Sequence, residues 1–234
     1  MRYSANLNIM IKAVEEAGIK TARDFHELEI LQTNQQSARK YANACYSRVK
    51  QLLFDDLTKM RPHYNIFASD GTSVINQENS EYSFSIHPID GLANLSRAIA
   101  DFTISIALNH HQDGKSEAIS CVIYRVIGSD TYYSEKGFGS FLNNRKIKAS
   151  NNSKHDQAMI ICDHNKDSNL GQGSDLAYRN LGCKTLEIAY LAAGKIDRFI
   201  INDENAKNFE PFYLIAQQSG AKIESENNVT TIGN

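Results

Sequence analysis

The chain has three prolines in 234 residues, too few for long interdomain linkers, and no stretch repetitive enough to suggest disorder. It also lacks an excess of either charge. Lys and Arg number 25 against 27 Asp and Glu, and the net charge of -2 gives no global electrostatic case for nucleic acid or an anionic membrane. No apolar run approaches the ~20 residues that span a bilayer. Lys12, Glu15 and Glu16 interrupt any signal-peptide core within Met1 to Ile19. Cys45, Cys121, Cys162 and Cys183 are widely spread and include no C-x-x-C pair, so reduced, mostly buried thiols are expected rather than disulfides or a zinc site. These absences point to a cytoplasmic protein without a membrane segment, in which the sequons at Asn94, Asn151 and Asn228 are chance matches.

What is present is an ordinary globular composition, 41% hydrophobic, on a chain long enough to bury a real core. Leu7, Met10, Ile11, Val14, Gly18 and Phe25 recur at helical spacing, as do Val49, Leu52, Leu53, Leu57 and Met60 before Pro62. Asn65 to Ala68, Tyr82 to Ile86, Phe102 to Leu108, Ile119 to Val126 and Thr131 to Tyr133 read as strands, with a hairpin turn at Asn143-Asn144. The first half is thus two helices followed by an antiparallel sheet. In the second half Met159 to Cys162, Ile196 to Asn202 and Ala221 to Glu224 read as strands, and Leu186 to Ala193 and Pro211 to Ser219 as helices ended by Gly194 and Gly220. The order suggests an α+β fold, one compact unit with subdomains at 1–150 and 151–234.

Three segments carry a specific resemblance. His87-Pro88-Ile89-Asp90-Gly91-Leu92-Ala93-Asn94-Leu95 resembles the D-P-I-D-G-T-x-N-F signature of the inositol monophosphatase family. Lys136 to Ser150 resembles the family's K-G-x-G-A-F-x-N-G-x-x-I-x-V-S, and Gly182 to Asp197 its G-S-A-A-L-D-L-A-Y-V-A-A-G-R-L-D. Ala17-Gly18, Arg23-Asp24-Phe25 and Leu31-Gln32 are similar to the bacterial extragenic-suppressor (SuhB-like) branch. The resemblance implies a layered α-β-α-β-α sugar-phosphatase fold, a homodimer, and chemistry in which carboxylate-held Mg²⁺ polarises a phosphate and activates water. For the extragenic-suppressor branch it also implies a protein partner in the transcription machinery.

The resemblance assigns metal ligands to both aspartates of the signature and to the isoleucine carbonyl, and water orientation to its threonine. Here those positions hold His87, Asp90, Ile89 and Leu92. The family's upstream glutamate becomes Ser69, next to Asp70; its downstream aspartate falls on Asn208, and the glutamate seven residues earlier on Ile201. An N-terminal lysine and aspartate map to Gln36 and Tyr46. Asp90 and Ile89 are the residual metal positions, while Ser69, His87, Leu92, Ile201 and Asn208 are degenerate, so no cofactor is expected where the family uses Mg²⁺.

His87 and Asp90 are open to a second reading as a pair suited to Zn²⁺ or Mn²⁺, although no further His or Cys stands beside them by spacing. Asp203, Glu204 or Glu210 offers a substitute for the missing aspartate if the backbone shifts. Gly182-Cys183-Lys184 opens a helix whose N-terminus is expected to attract an anion, leaving weak binding of phosphate or inositol phosphate without hydrolysis. His110-His111 reads as a solvated hairpin tip, and Gly137 and Gly139 as turn glycines. Arg145, Lys146, Lys148 and Lys154 offer a basic contact surface or simply a solvated face. Between Cys162 and Arg179 the chain is shorter than the resemblance implies, as if a bordering helix were trimmed. Three functions stand open: a pseudophosphatase acting through a partner, an altered metal-dependent phosphatase, and an inert half of a hetero-oligomer.

Overall fold

A computed structural model describes residues 4–152, 158–162, 177–202, 206–226 and 229–234. Helix α1 (Ala5–Ile30) begins where the Ser4 hydroxyl accepts the Leu7 amide, and helix α2 (Gln35–Met60) where the Asn34 side-chain oxygen accepts the Ser37 amide. Each cap satisfies an amide that the first helical turn leaves unpaired. In α1 the predicted stripe of Leu7, Met10, Val14 and Phe25 is buried, and Leu28 extends it. Gly18 belongs to the stripe for a different reason. A Cβ there would lie 2.2 Å from a ring carbon of Tyr124, so only glycine lets the helix rest on the sheet at that point. Helix α2 begins well before Val49, because its first buried positions are Ala38, Ala42 and Cys45, too small to make a strong apolar period.

Eight strands form the larger sheet: β1 (Asn65–Ala68), β2 (Ser73–Val74), β3 (Tyr82–Asp90), β4 (Thr103–Gln112), β5 (Lys115–Arg125), β6 (Asp130–Glu135), β7 (Gly139–Leu142) and β8 (Arg145–Ile147). Their order is β2-β1-β3-β4-β5-β6-β7-β8. The sheet is not wholly antiparallel as expected, since β1 runs parallel to β3 and leaves the two-residue β2 as the edge. Helix α3 (Leu92–Ser96), which the apolar spacing does not mark, follows β3 directly. Side chains alternate across the sheet. Phe84, Ile86, Ile104, Ile106 and Leu108 face α1 and α2, whereas Ala107, Cys121, Ile123 and Tyr132 face the second half of the chain. His110 and His111 belong to β4 rather than to a solvated tip. The His110 ring stacks on Tyr82 at 4.9 Å, and His111 Nε2 lies 2.7 Å from Ser83 Oγ.

The second half supplies β9 (Met159–Cys162), β10 (Ala177–Arg179), helix α4 (Lys184–Ala192), β11 (Arg198–Asn202), a 3-10 turn at Glu210–Phe212, helix α5 (Tyr213–Ser219), β12 (Lys222–Glu226) and β13 (Val229–Gly233). The five strands pair in the order β10-β9-β11-β13-β12. Helices α4 and α5 lie between the two sheets, where Ile188, Leu191, Phe199, Phe212, Ile215 and Ile232 join Cys121, Ile123 and Tyr132 in a second core. The result is an α+β stack of helices, sheet, helices, sheet. Residues 163–176, where the bordering helix is read as trimmed, lie outside the described residues, as does Lys154. Burial pushes the Cys45 and Cys121 thiols up to about 12. The described helices include none long and apolar enough to cross a membrane.

Candidate functional site

The signature segment ends β3 and enters α3, at the place where the larger sheet meets the N-terminus of α4. The pairing of β3 with β4 shifts register between His87 and Asp90, so Pro88 and Ile89 form a bulge that re-aims Asp90. Asp90 Oδ2 accepts hydrogen bonds from the Thr185 amide at 2.7 Å and the Thr185 hydroxyl at 2.9 Å. Cys183 Sγ lies 3.5 Å from the same oxygen and 3.4 Å from the Asp90 carbonyl. Asp90 therefore caps α4 from a different sheet, a favourable place for a carboxylate at the positive end of a helix. Burial, followed by the charge of Asp90, pushes the Cys183 thiol well above its ordinary value. Gly91 makes the turn possible: its φ is +84°, and a Cβ there would come 2.8 Å from the Asp101 carbonyl oxygen. Asn94 Nδ2 then donates to the carbonyls of Asp101 and Leu181, each at 2.7 Å, tying α3 to the loop that precedes α4.

Gly182, Cys183 and Lys184 thus open α4 where Asp90 meets Cys183 and the Thr185 amide. Lys184 Nζ is 3.1 Å from Glu187 Oε2, and Glu187 Oε1 accepts the Leu181 amide at 2.8 Å. Glu187 is fully buried, and burial raises its pKa against the opposing pull of Lys184 and that amide.

His87 is also buried, at 5% exposure. Its Nε2 donates to the Asn208 carbonyl oxygen at 2.9 Å, and its ring packs against Phe209 at 4.8 Å and edge-on to Phe212 at 5.2 Å. Burial lowers the pKa of the imidazole; Asp90 and the Asn208 carbonyl pull the other way. Two of the positions where the resemblance places aspartates, His87 and Asn208, are therefore linked through the Asn208 backbone carbonyl, with Phe209 and Phe212 packed against the His87 ring. Nothing in local spacing announces this contact, which spans 121 positions of the chain.

Ser69 follows β1, exposed, with its amide donating to the Ile86 carbonyl at 3.0 Å. Beside it, Asp70 Oδ2 meets Lys50 Nζ at 2.6 Å and Asp70 Oδ1 accepts from the Thr72 hydroxyl at 2.6 Å. Partial burial works against ionisation of Asp70, but Lys50 and Thr72 outweigh it and hold the carboxyl well below the usual range. Tyr46 lies against Ser69 and Asp70, its pKa raised chiefly by burial. The Asp70 carboxylate, next to the position where the resemblance places a glutamate, is thus paired with an ammonium on α2. Elsewhere, Leu92 opens α3 half-buried, Ile201 is fully buried in the second core on β11, and Glu210 is exposed at the start of the 3-10 turn. Asp203 and Glu204 lie outside the described residues.

Mg²⁺ requires hard oxygen donors in near-octahedral geometry. Among the described residues no three His, Cys, Asp or Glu side chains form a group that could hold a metal ion. At the positions the resemblance assigns to metal, Asp90 is an engaged carboxylate, Ser69 offers an exposed hydroxyl and His87 an imidazole already committed to a carbonyl. The described residues do not fit the ion.

The sequence profile of the inositol monophosphatase family matches residues 4–209. The chain belongs to the inositol monophosphatase family. It is 28% identical over 237 residues to an inositol-1-monophosphatase of Mesorhizobium japonicum, covering 95% of this chain and 86% of that protein. It is 27% identical over 230 residues to a Nus factor SuhB of Xylella fastidiosa, covering 93% and 80%. The crystal structure of extragenic suppressor protein SuhB from Bartonella henselae superimposes with a TM-score of 0.83 over 100% of this chain and 94% of that one, at 23% identity, which establishes a shared fold. The segment that resembles the family's signature is held by hydrogen bonds at Asp90 and Asn94 and by the turn at Gly91.

Proposed function

We propose that this member of the inositol monophosphatase family has lost Mg²⁺-dependent hydrolysis and acts by binding a partner, as a pseudophosphatase. The observation that carries the proposal is the bond from His87 Nε2 to the Asn208 carbonyl, sealed by Phe209 and Phe212. The resemblance places metal-binding carboxylates at both positions, and an imidazole bonded to a backbone carbonyl there supports the reading that no ion is held. Asp90, the remaining carboxylate, serves α4 instead. Relatives named as Nus factors support a protein partner in the transcription machinery, and the resemblance supports a homodimer. The basic residues Arg145 and Lys146 lie exposed on β8, an edge strand. Charge there also blocks unwanted strand pairing, so the edge needs no partner to explain it.

Phosphate release from inositol monophosphate tests the hydrolytic half of this reading. The expected result is no release above the protein-free rate with Mg²⁺ or Mn²⁺. The second reading, an altered phosphatase, is favoured by the relatives named inositol-1-monophosphatase and by retention of Asp90. It requires metal-dependent release that disappears in Asp90→Ala at a temperature where that variant remains folded.

A further inference from the structure

Strand β8 is one open edge of the larger sheet, so its outer backbone groups meet no strand among the described residues. Arg145, Lys146 and, just beyond the strand, Lys148 are exposed and make no ion pair among the described residues. Unpaired cations occur elsewhere too, as at Lys40 and Lys59 on α2, so their presence alone marks nothing. The setting differs at β8. No Asp or Glu occurs from Lys136 to Ser150. Two bordering carboxylates are already engaged, Glu117 by Lys136 at 2.6 Å and Asp130 by Arg125 at 3.7 Å. Phe138, 64% exposed, stands on the turn between β6 and β7, and because Ser140 pairs with Ile147 it lies toward the C-terminal end of β8. Its turn is firmly held: the Gly137 amide donates to Gln218 Oε1 at 2.9 Å and the Phe138 amide to the Glu135 carbonyl at 3.0 Å. Lys146 lies alongside, its Cε 3.1 Å from where a Cβ on Gly139 would stand.

Cations on an edge strand deter most strands that would otherwise pair with it. For a strand that carries carboxylates the same charges attract, so protection against most chains becomes selectivity for one kind. Edge protection also gives no role to Phe138, whereas an aromatic side chain fixed beside a basic rim is the arrangement of an interface anchor. The open backbone decides between protein and nucleic acid. Amides and carbonyls at strand spacing pair with another peptide backbone and have no counterpart in a sugar-phosphate chain. We propose that the edge of β8 docks an extended acidic segment of a partner protein as an added strand. The segment's carboxylates meet Arg145, Lys146 and Lys148, and an apolar side chain at one end covers Phe138. This gives the chemistry of the partner in the partner-binding reading above, and it rests on that reading.

The test is fluorescence anisotropy of the full chain, in chelator, with labelled probes: a peptide of alternating Glu and Val, the same peptide with alternate amides N-methylated, and a single-stranded oligouridylate. The first peptide should bind saturably and more weakly as salt rises. N-methylation removes strand donors and keeps the charge, so it should weaken binding about tenfold or more. Lys146→Gln and Phe138→Ser should each weaken it about tenfold as well. Both side chains are exposed, and melting curves check that each variant keeps the fold; Arg145→Gln replaces one that does not. Absence of saturable binding of the Glu-Val peptide, equal binding of its N-methylated form, or undiminished binding by the variants overturns the proposal. Tighter binding of the oligouridylate, lost in the same variants, overturns it in favour of a nucleic-acid surface. Phosphate release from inositol monophosphate with Mg²⁺, measured on the same parent protein, tests the pseudophosphatase reading separately: release overturns that reading whether or not the peptide binds.

Discussion

Asp90→Ala is expected to destabilise the protein by about 2–4 kcal/mol in the presence of chelator, combining a lost helix cap with lost charge-assisted hydrogen bonds. For a chain of this size that is a fall in Tm of about 5–15 °C. The physical reason is that Asp90 Oδ2 satisfies both the amide and the hydroxyl of Thr185, a residue with no exposed surface. Removing the carboxylate leaves those donors buried at the start of α4, next to Cys183 and Thr103. Asp90→Asn retains an acceptor and should cost less, about 1 kcal/mol, because Asn and Asp are nearly equal as caps. A carboxylate kept only for metal binding behaves differently: without metal its removal leaves Tm near the parental value. Thermal melts of the two variants in chelator separate these cases.

His87→Asp, the substitution that restores the family's signature residue, is expected to be as damaging and to rescue nothing. It places a carboxylate between Phe209 and Phe212, close to Asp90, and removes the donor to the Asn208 carbonyl. An unpaired charge in such a place costs at least about 3 kcal/mol or is neutralised by taking up a proton. His87→Phe keeps the aromatic packing and loses only the hydrogen bond, for about 1–2 kcal/mol. The expected order of stability is therefore parent, His87→Phe, His87→Asp, read by denaturant unfolding. A His87→Asp protein that unfolds at the parental denaturant concentration and acquires Mg²⁺ binding would place the site one substitution from activity and contradict the packing argument.

Much of the architecture was legible because it rests on local patterns. The stripe from Leu7 to Phe25, the alternation in β4 and the helix stop at Gly220 each follow from spacing or a single backbone preference. Helix α3 and strand β13 were not, since five residues with two buried side chains and a polar Val-Thr-Thr-Ile-Gly strand carry little periodic signal. The candidate site divides in the same way. That the resemblance sets His87, Leu92 and Ile201 against other residue types can be read from the sequence alone. What those residues do instead depends on contacts between distant segments: His87 with Asn208, Asp90 with Thr185, Lys50 with Asp70. The last of these is especially hidden, because Lys50 reads as one more cation on the outside of α2. Lys184 reads in the sequence as a cation beside a helix N-terminus, and its pairing with Glu187 at 3.1 Å becomes visible only in the structure.

The central claim is that this scaffold no longer binds the ion its family's chemistry needs, and calorimetric titration of the purified protein with Mg²⁺ and then Mn²⁺ tests it most directly. The account predicts no saturable heat up to millimolar metal, with or without inositol monophosphate. Saturable binding of either ion, abolished in Asp90→Asn while that variant remains folded, would contradict it.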